Sequence, residues 1–216
     1  MTQKVDVLFV TDMSGSMAHL AQAVRDGFND YIKELRSDPG KGVEYSVTLT
    51  LFEGEAHRPL VWNDLQSVRT MDEEMYMPGG MTALLDAVGS TVESYKGNGD
   101  RVILLIQTDG HENSSRHYSY AKVRELLNDK EKEGWLVIFL GQGGDDVIRG
   151  AEKLGLNRSQ TVQVANSSVG TRSTYSSLGH ATREAANLSP DRWMAAASRE
   201  KLITETQERI DGESGE

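Results

Sequence analysis

The side chains with the clearest chemical potential in this sequence are oxygen donors. Asp12-Met13-Ser14-Gly15-Ser16 places three of them on alternate residues of one short segment, and Gly15 allows it to turn sharply. Thr82 follows the flexible Gly79-Gly80-Met81, and Asp109 sits within Thr108-Asp109-Gly110. Carboxylate and hydroxyl oxygens suit hard cations such as Mg²⁺ or Mn²⁺, which favour six oxygens and often retain water. Two carboxylates balance the charge of a dication, and hydroxyls add none. A cation held this way stays electrophilic enough to accept one more carboxylate oxygen from outside.

Residues so far apart in sequence meet only if the fold gathers them. Val5 to Val10 is apolar and β-branched and reads as a buried strand leading into Asp12. Leu20, Val24, Phe28, Ile32 and Leu35 recur at helical spacing over 17–36, and Asp38-Pro39-Gly40 ends that helix. Val43 to Phe52 alternates as a strand, and a second strand at 58–62 follows too soon for a parallel crossover, so it should pair antiparallel at an edge. A helix is expected at 83–95, a fully apolar strand at 102–106 before Asp109, and a helix at 120–134. A strand at 136–140, a helix at 145–154, a weaker strand at 161–164 and a helix at 174–187 complete the alternation.

The predicted class is therefore α/β: a Rossmann-like, doubly wound, mostly parallel six-stranded sheet with one antiparallel edge strand and helices on both faces. Ligands of such sheets bind beyond the carboxyl ends of the strands, where strand order reverses. With the order 3-2-1-4-5-6, that crevice lies between the first and fourth strands. Asp12 and Asp109 would meet there. The expected organisation is a domain over 1–188, a terminal helix over 189–210 begun by Ser189-Pro190, and an acidic tail over 211–216.

Composition narrows the function. With 38% hydrophobic residues the chain can bury a core, and its net charge of −10 opposes binding to phosphate backbones, so no nucleic acid is expected. The chain has no cysteine, which removes disulfides, thiolate zinc sites and cysteine catalysis. No apolar stretch is long enough to span a bilayer and no leader pattern opens the sequence, so the expected location is the cytoplasm, without membrane contact.

The combined motif resembles the metal-ion-dependent adhesion site (MIDAS) of von Willebrand factor A (vWA) domains. Asp12-Met13-Ser14-Gly15-Ser16-Met17 matches its opening loop, Gly79-Gly80-Met81-Thr82 its threonine loop, and Thr108-Asp109-Gly110 its last aspartate. The likeness covers roughly 4–188. It implies that Ser14 and Ser16 touch the metal, Mg²⁺ or Mn²⁺, directly, and Thr82 directly or through water. Asp12 and Asp109 would act mostly through bound waters, and the Asp or Glu of a partner protein would complete the shell. The implied function is a metal-dependent protein-binding module and not an enzyme.

Each signal has an ordinary reading as well. Ser14 and Ser16 could simply cap the next helix. Asp109-Gly110 could be a turn. His111 and Glu112 could tune the rim of the site or be solvated loop. His19, His57, His117 and His180 lack metal-ligand spacing, and Gly141-Gln142-Gly143-Gly144-Asp145 falls short of a dinucleotide loop. Two other functions stay open: a metal-dependent hydrolase of phosphate esters with His111 or Glu112 as base, and an assembly subunit docked through its last helix.

Overall fold

The computed structural model describes residues 2–109, 111–142 and 145–214. Six strands form one sheet: β1 (Gln3–Asp12), β2 (Val43–Phe52), β3 (Leu60–Trp62), β4 (Arg101–Thr108), β5 (Leu136–Gln142) and β6 (Thr161–Val164). Their order is β3-β2-β1-β4-β5-β6. All pairs are parallel except β2 with the short edge strand β3. Strand order reverses between β1 and β4, so the expected crevice is present. The helices are α1 (Ala21–Ser37), α2 (Leu84–Ser94), α3 (Tyr120–Lys132), α4 (Asp145–Lys153), α5 (Ser168–Asn187), α6 (Pro190–Met194) and α7 (Ala196–Ser214).

Alternation along the strands builds two cores, one on each face of the sheet. Val5, Val7 and Phe9 of β1 pack with Val24, Phe28 and Tyr31 of α1, with Tyr175 and Leu178 of α5, and with Leu202 and Ile203 of α7. Leu8 and Val10 pack on the other face with Leu84, Leu85 and Val88 of α2 and with Val123 and Leu127 of α3. Every residue of β4 and β5 is buried. Such strands, covered on both faces, read as continuous apolar runs.

Four boundaries differ from the sequence reading. The first helix opens as a 3-10 turn over Gly15–Leu20 before α1. Helix α5 begins at Ser168, where Ser167 caps it by accepting from Gly170 N, well before the apolar periodicity becomes legible. The terminal helix is two helices, because Ala195 turns extended between α6 and α7. The Arg199 guanidinium closes that break by donating to the carbonyls of Trp193 and Met194. Helix α7 then continues through Asp211 to Ser214, into the stretch expected to be tail, while Gly215 and Glu216 lie outside the described residues.

Helices α6 and α7 are anchored to the rest of the chain. Leu202, Ile203, Thr206 and Ile210 of α7 are buried, at three- and four-residue spacing. Arg101 of β4 stacks on Trp193 and donates to the carbonyls of Ala185 and Leu188, binding the end of α5 to the sheet. The Gln207 amide of α7 accepts from Gln163 N and donates to Gln163 O, covering the open edge of β6.

Candidate metal centre

Asp12 is the last residue of β1, opposite Phe52 of β2 and beside the end of β4. Its side chain is fully buried, and both carboxylate oxygens are engaged. Oδ1 accepts from Ser14 N at 2.7 Å, and Oδ2 accepts from the Thr108 hydroxyl at 2.6 Å. Its own carbonyl accepts from the Tyr76 hydroxyl at 2.7 Å. Burial pushes the Asp12 carboxyl above the usual aspartate range, and the nearby Asp109 adds to that. The bonds from Thr108 and Ser14 only partly offset the rise.

From Asp12 the oxygens continue outward. Ser14 Oγ lies 3.1 Å from Ser16 Oγ, and Ser16 Oγ donates to Asp109 Oδ1 at 2.7 Å. Four of the five expected residues therefore form one contiguous cluster, buried at Asp12 and Ser14 and open to solvent at Ser16. Ser14 occupies the N-cap position of the 3-10 turn yet makes no side-chain capping bond. The capping reading of Ser14 thus has no hydrogen bond behind it.

The threonine arrives by backbone contacts. Gly79 N donates to Met13 O at 2.8 Å, and Gly15 N donates to Gly80 O at 3.2 Å. Gly80 has φ +71, and a β-carbon there would collide with the Glu53 carboxylate. Thr82 itself is buried, and its backbone is held at both ends by Asn113. Thr82 N donates to Asn113 Oδ1 at 2.8 Å, and Asn113 N donates to Thr82 O at 3.0 Å. The Thr82 hydroxyl makes no side-chain bond to the other four residues among the described residues. The structure brings Thr82 alongside the cluster and leaves its hydroxyl outside the hydrogen-bonded chain.

The clasp between the Thr82 and Asp109 segments was not read from the sequence. Glu112 accepts from Leu85 N at 3.0 Å, at the start of α2, and from Ser114 N, Ser115 N and the Ser115 hydroxyl in its own loop. Asp86 accepts from the backbone N–H groups of Arg116, His117 and Tyr118 at 2.8 to 2.9 Å. Burial pushes the Asp86 carboxyl up, but these three bonds outweigh it and hold the group below the usual range. Glu112 is therefore a strut, while His111 is exposed. One signal was available: an aspartate inside Leu84-Leu85-Asp86-Ala87-Val88 is anomalous unless it is bonded. Gly110, like Gly143 and Gly144 of the glycine-rich loop after β5, lies outside the described residues.

The donor set fits a small dication in type and spacing. With metal–oxygen bonds of about 2.0–2.1 Å, adjacent oxygens of an octahedral shell lie about 2.9 Å apart. The Ser14–Ser16 separation of 3.1 Å is close to that edge. Among the described residues no three His, Asp or Glu side chains could hold a metal by themselves. Here any cation would need the hydroxyls.

His19 frames the outer side of the cluster. Its Nδ1 lies 2.8 Å from Ser16 O, and its Nε2 lies 2.8 Å from Asn166 Oδ1 beyond β6. These contacts tie the serine loop to the segment leading into α5. The sequence offered no spacing signal for His19.

No protein-family profile matches the chain, and no curated protein matches it. Solved structures do resemble it. The PilB minor pilin from Streptococcus sanguinis aligns with TM-score 0.61 and 15% identity over 85% of this chain and 62% of the pilin. The chain thus spans less than two thirds of that pilin. The vWF domain of the type V pili tip protein Mfa5 from Porphyromonas gingivalis aligns with TM-score 0.62 and 9% identity, over 88% of this chain and 98% of that one. Proximal thread matrix protein 1 from the mussel byssus, with a zinc-occupied MIDAS motif, aligns with TM-score 0.56 and 15% identity over 86% of this chain and 46% of that one. The fold is vWA-like, as in these neighbours. The cytoplasmic location expected from the sequence is corrected by the same comparisons. A minor pilin and a pili tip protein are cell-surface components and point away from the cytoplasm. Among the described residues no helix is long and apolar enough to cross a membrane.

Proposed function

We propose that this chain is a protein-binding module whose site holds Mg²⁺ or Mn²⁺ through Asp12, Ser14, Ser16, Thr82 and Asp109. The observation that carries the reading is the contiguous oxygen cluster at the reversal of strand order, with a buried Asp12 carboxylate that has no cationic hydrogen-bond partner among the described residues. A bound cation would offset the burial of Asp12 and its repulsion from Asp109. Ser14 and Ser16 would touch it directly, Thr82 directly or through water, and the two aspartates mostly through water. The outward face would accept a carboxylate from an Asp or Glu of the partner.

The pilus and byssus proteins that share the fold support an interaction or assembly role. Hydrolysis has less behind it. Glu112 is committed to N–H groups of the loop clasp, which removes one of the two alternative bases for that reading. The test is capture of a partner from cells that express the protein, with Mg²⁺ against EDTA, using wild type and Ser14→Ala/Ser16→Ala. A partner retained only by wild type in Mg²⁺ is expected. Equal capture in all four conditions would place the interaction on another surface.

A further inference from the structure

Five large hydrophobic side chains are exposed among the described residues, and three of them lie on segments tied by hydrogen bonds to the loop of the oxygen cluster. Met77 and Met81 are 73% and 53% exposed and belong to the loop that delivers Thr82. That loop is fixed against 12–15 by the Tyr76–Asp12, Gly79–Met13 and Gly15–Gly80 bonds. Val169, 66% exposed, stands in the first turn of α5 on the opposite flank. The link across is continuous: Ser16 to His19, and His19 to Asn166, three residues before Val169. Of the other two, Val61 lies on β3, and Met194 packs against Gly134 before β5, at the far end of the sheet. Single exposed apolar residues are ordinary. Exposed apolar residues concentrated on segments that hold one polar cluster are a signature of interaction surfaces.

Charge points the same way. The chain carries 33 acidic residues, yet 75–85 (MYMPGGMTALL) and 161–171 (TVQVANSSVGT) contain no charged residue at all. These are the two segments that flank the cluster. Neither segment therefore adds a negative charge of its own against an approaching acid, in a molecule of net charge −10, and the Glu53 carboxylate beside Gly80 lies within 3.8 Å of His57 Nε2.

We propose that this face selects a partner segment in which an acidic side chain is flanked by apolar ones. The carboxylate enters the oxygen cluster. One apolar neighbour seats on Met77 and Met81, whose flexible thioether side chains adapt to its shape, and the other seats on Val169. This inference rests on the metal-dependent reading above and names the class of partner that reading leaves open.

The test is a phage-displayed random heptapeptide library panned on the full chain in millimolar Mg²⁺ and released with EDTA. The expected consensus is Asp or Glu flanked by Leu, Ile, Met or Phe. Met77→Ser/Met81→Ser should recover the selected peptides at least about fivefold less well, and Val169→Ser about twofold less. Both variants should keep the Mg²⁺-dependent rise in melting temperature. Three results would overturn the proposal: selection of acids without apolar neighbours, equal recovery by the double variant, or no EDTA-released peptide. Should wild type show no melting rise in Mg²⁺, the metal reading itself fails. A normal rise accompanied by any of those three results sinks only the selectivity.

Discussion

Asp12 and Asp86 are both buried beside the same site, and burial raises both carboxyls, but their net shifts run in opposite directions. Asp86 has three backbone N–H donors from one loop, and its charged form is favoured despite burial. Asp12 has one backbone N–H and one hydroxyl, with Asp109 nearby, and its charged form is disfavoured. The donor count separates a carboxylate that holds the fold together from one whose charge the protein alone leaves poorly compensated. A cation is what the second kind calls for.

The comparison can be broken by mutation. The largest effect expected is that of Asp86→Ala, which leaves three backbone N–H groups of the loop after β4 without their acceptor. A loss of about 3 kcal/mol is expected, or roughly 6–12 °C in melting temperature. A change under about 1 kcal/mol would mean that the loop finds water or other acceptors as readily.

Acid should show the same contrast more gently. Asp86 has a folded-state pKa below its unfolded value of about 3.9. Its contribution is thus fully present above that pH and is lost as pH falls through the folded value. Denaturant melts between pH 5 and pH 2.5 should show wild type losing stability over this window. Asp86→Asn should lose measurably less over it. Parallel acid limbs for the two proteins would contradict the assignment.

Asp12→Asn should behave oppositely in EDTA at neutral pH. Removing a buried charge beside Asp109 should leave stability unchanged or raise it by up to about 1 kcal/mol. A marked loss of stability would make Asp12 a strut like Asp86. A similarly small effect is expected at the exposed Asn113, where Asn113→Ala frees the Thr82 backbone. It should cost about 1 kcal/mol in stability and weaken Mg²⁺ binding, read by isothermal titration, by a similar amount. Unchanged Mg²⁺ affinity would show that the clasp does not position the threonine.

What was legible in the sequence followed from repetition. Apolar runs marked β1, β4 and β5, alternation marked β2, and the short β2–β3 link marked the antiparallel edge. The strand-end positions of Asp12 and Asp109 then placed them at the crevice. What escaped depends on contacts between distant segments. The first turns of α5 are rich in serine, threonine and glycine because α5 buries Thr171, Ser173, Thr174 and Ser177, which leaves no apolar stripe to read. The break at Ala195 is closed by Arg199, and nothing local marks it. Asp86 and Asn113 acquire their roles from a loop that the sequence cannot place against α2.

The central claim is tested most directly by thermal melts of wild type and Asp12→Asn in EDTA and across a Mg²⁺ or Mn²⁺ titration into the millimolar range. The account predicts a saturable rise for wild type, about 2.7 kcal/mol of added stability at a hundredfold excess over Kd, and none for Asp12→Asn. Identical wild-type melts with and without metal would contradict it, and the cluster at the ends of β1 and β4 would then be a purely structural hydrogen-bond network.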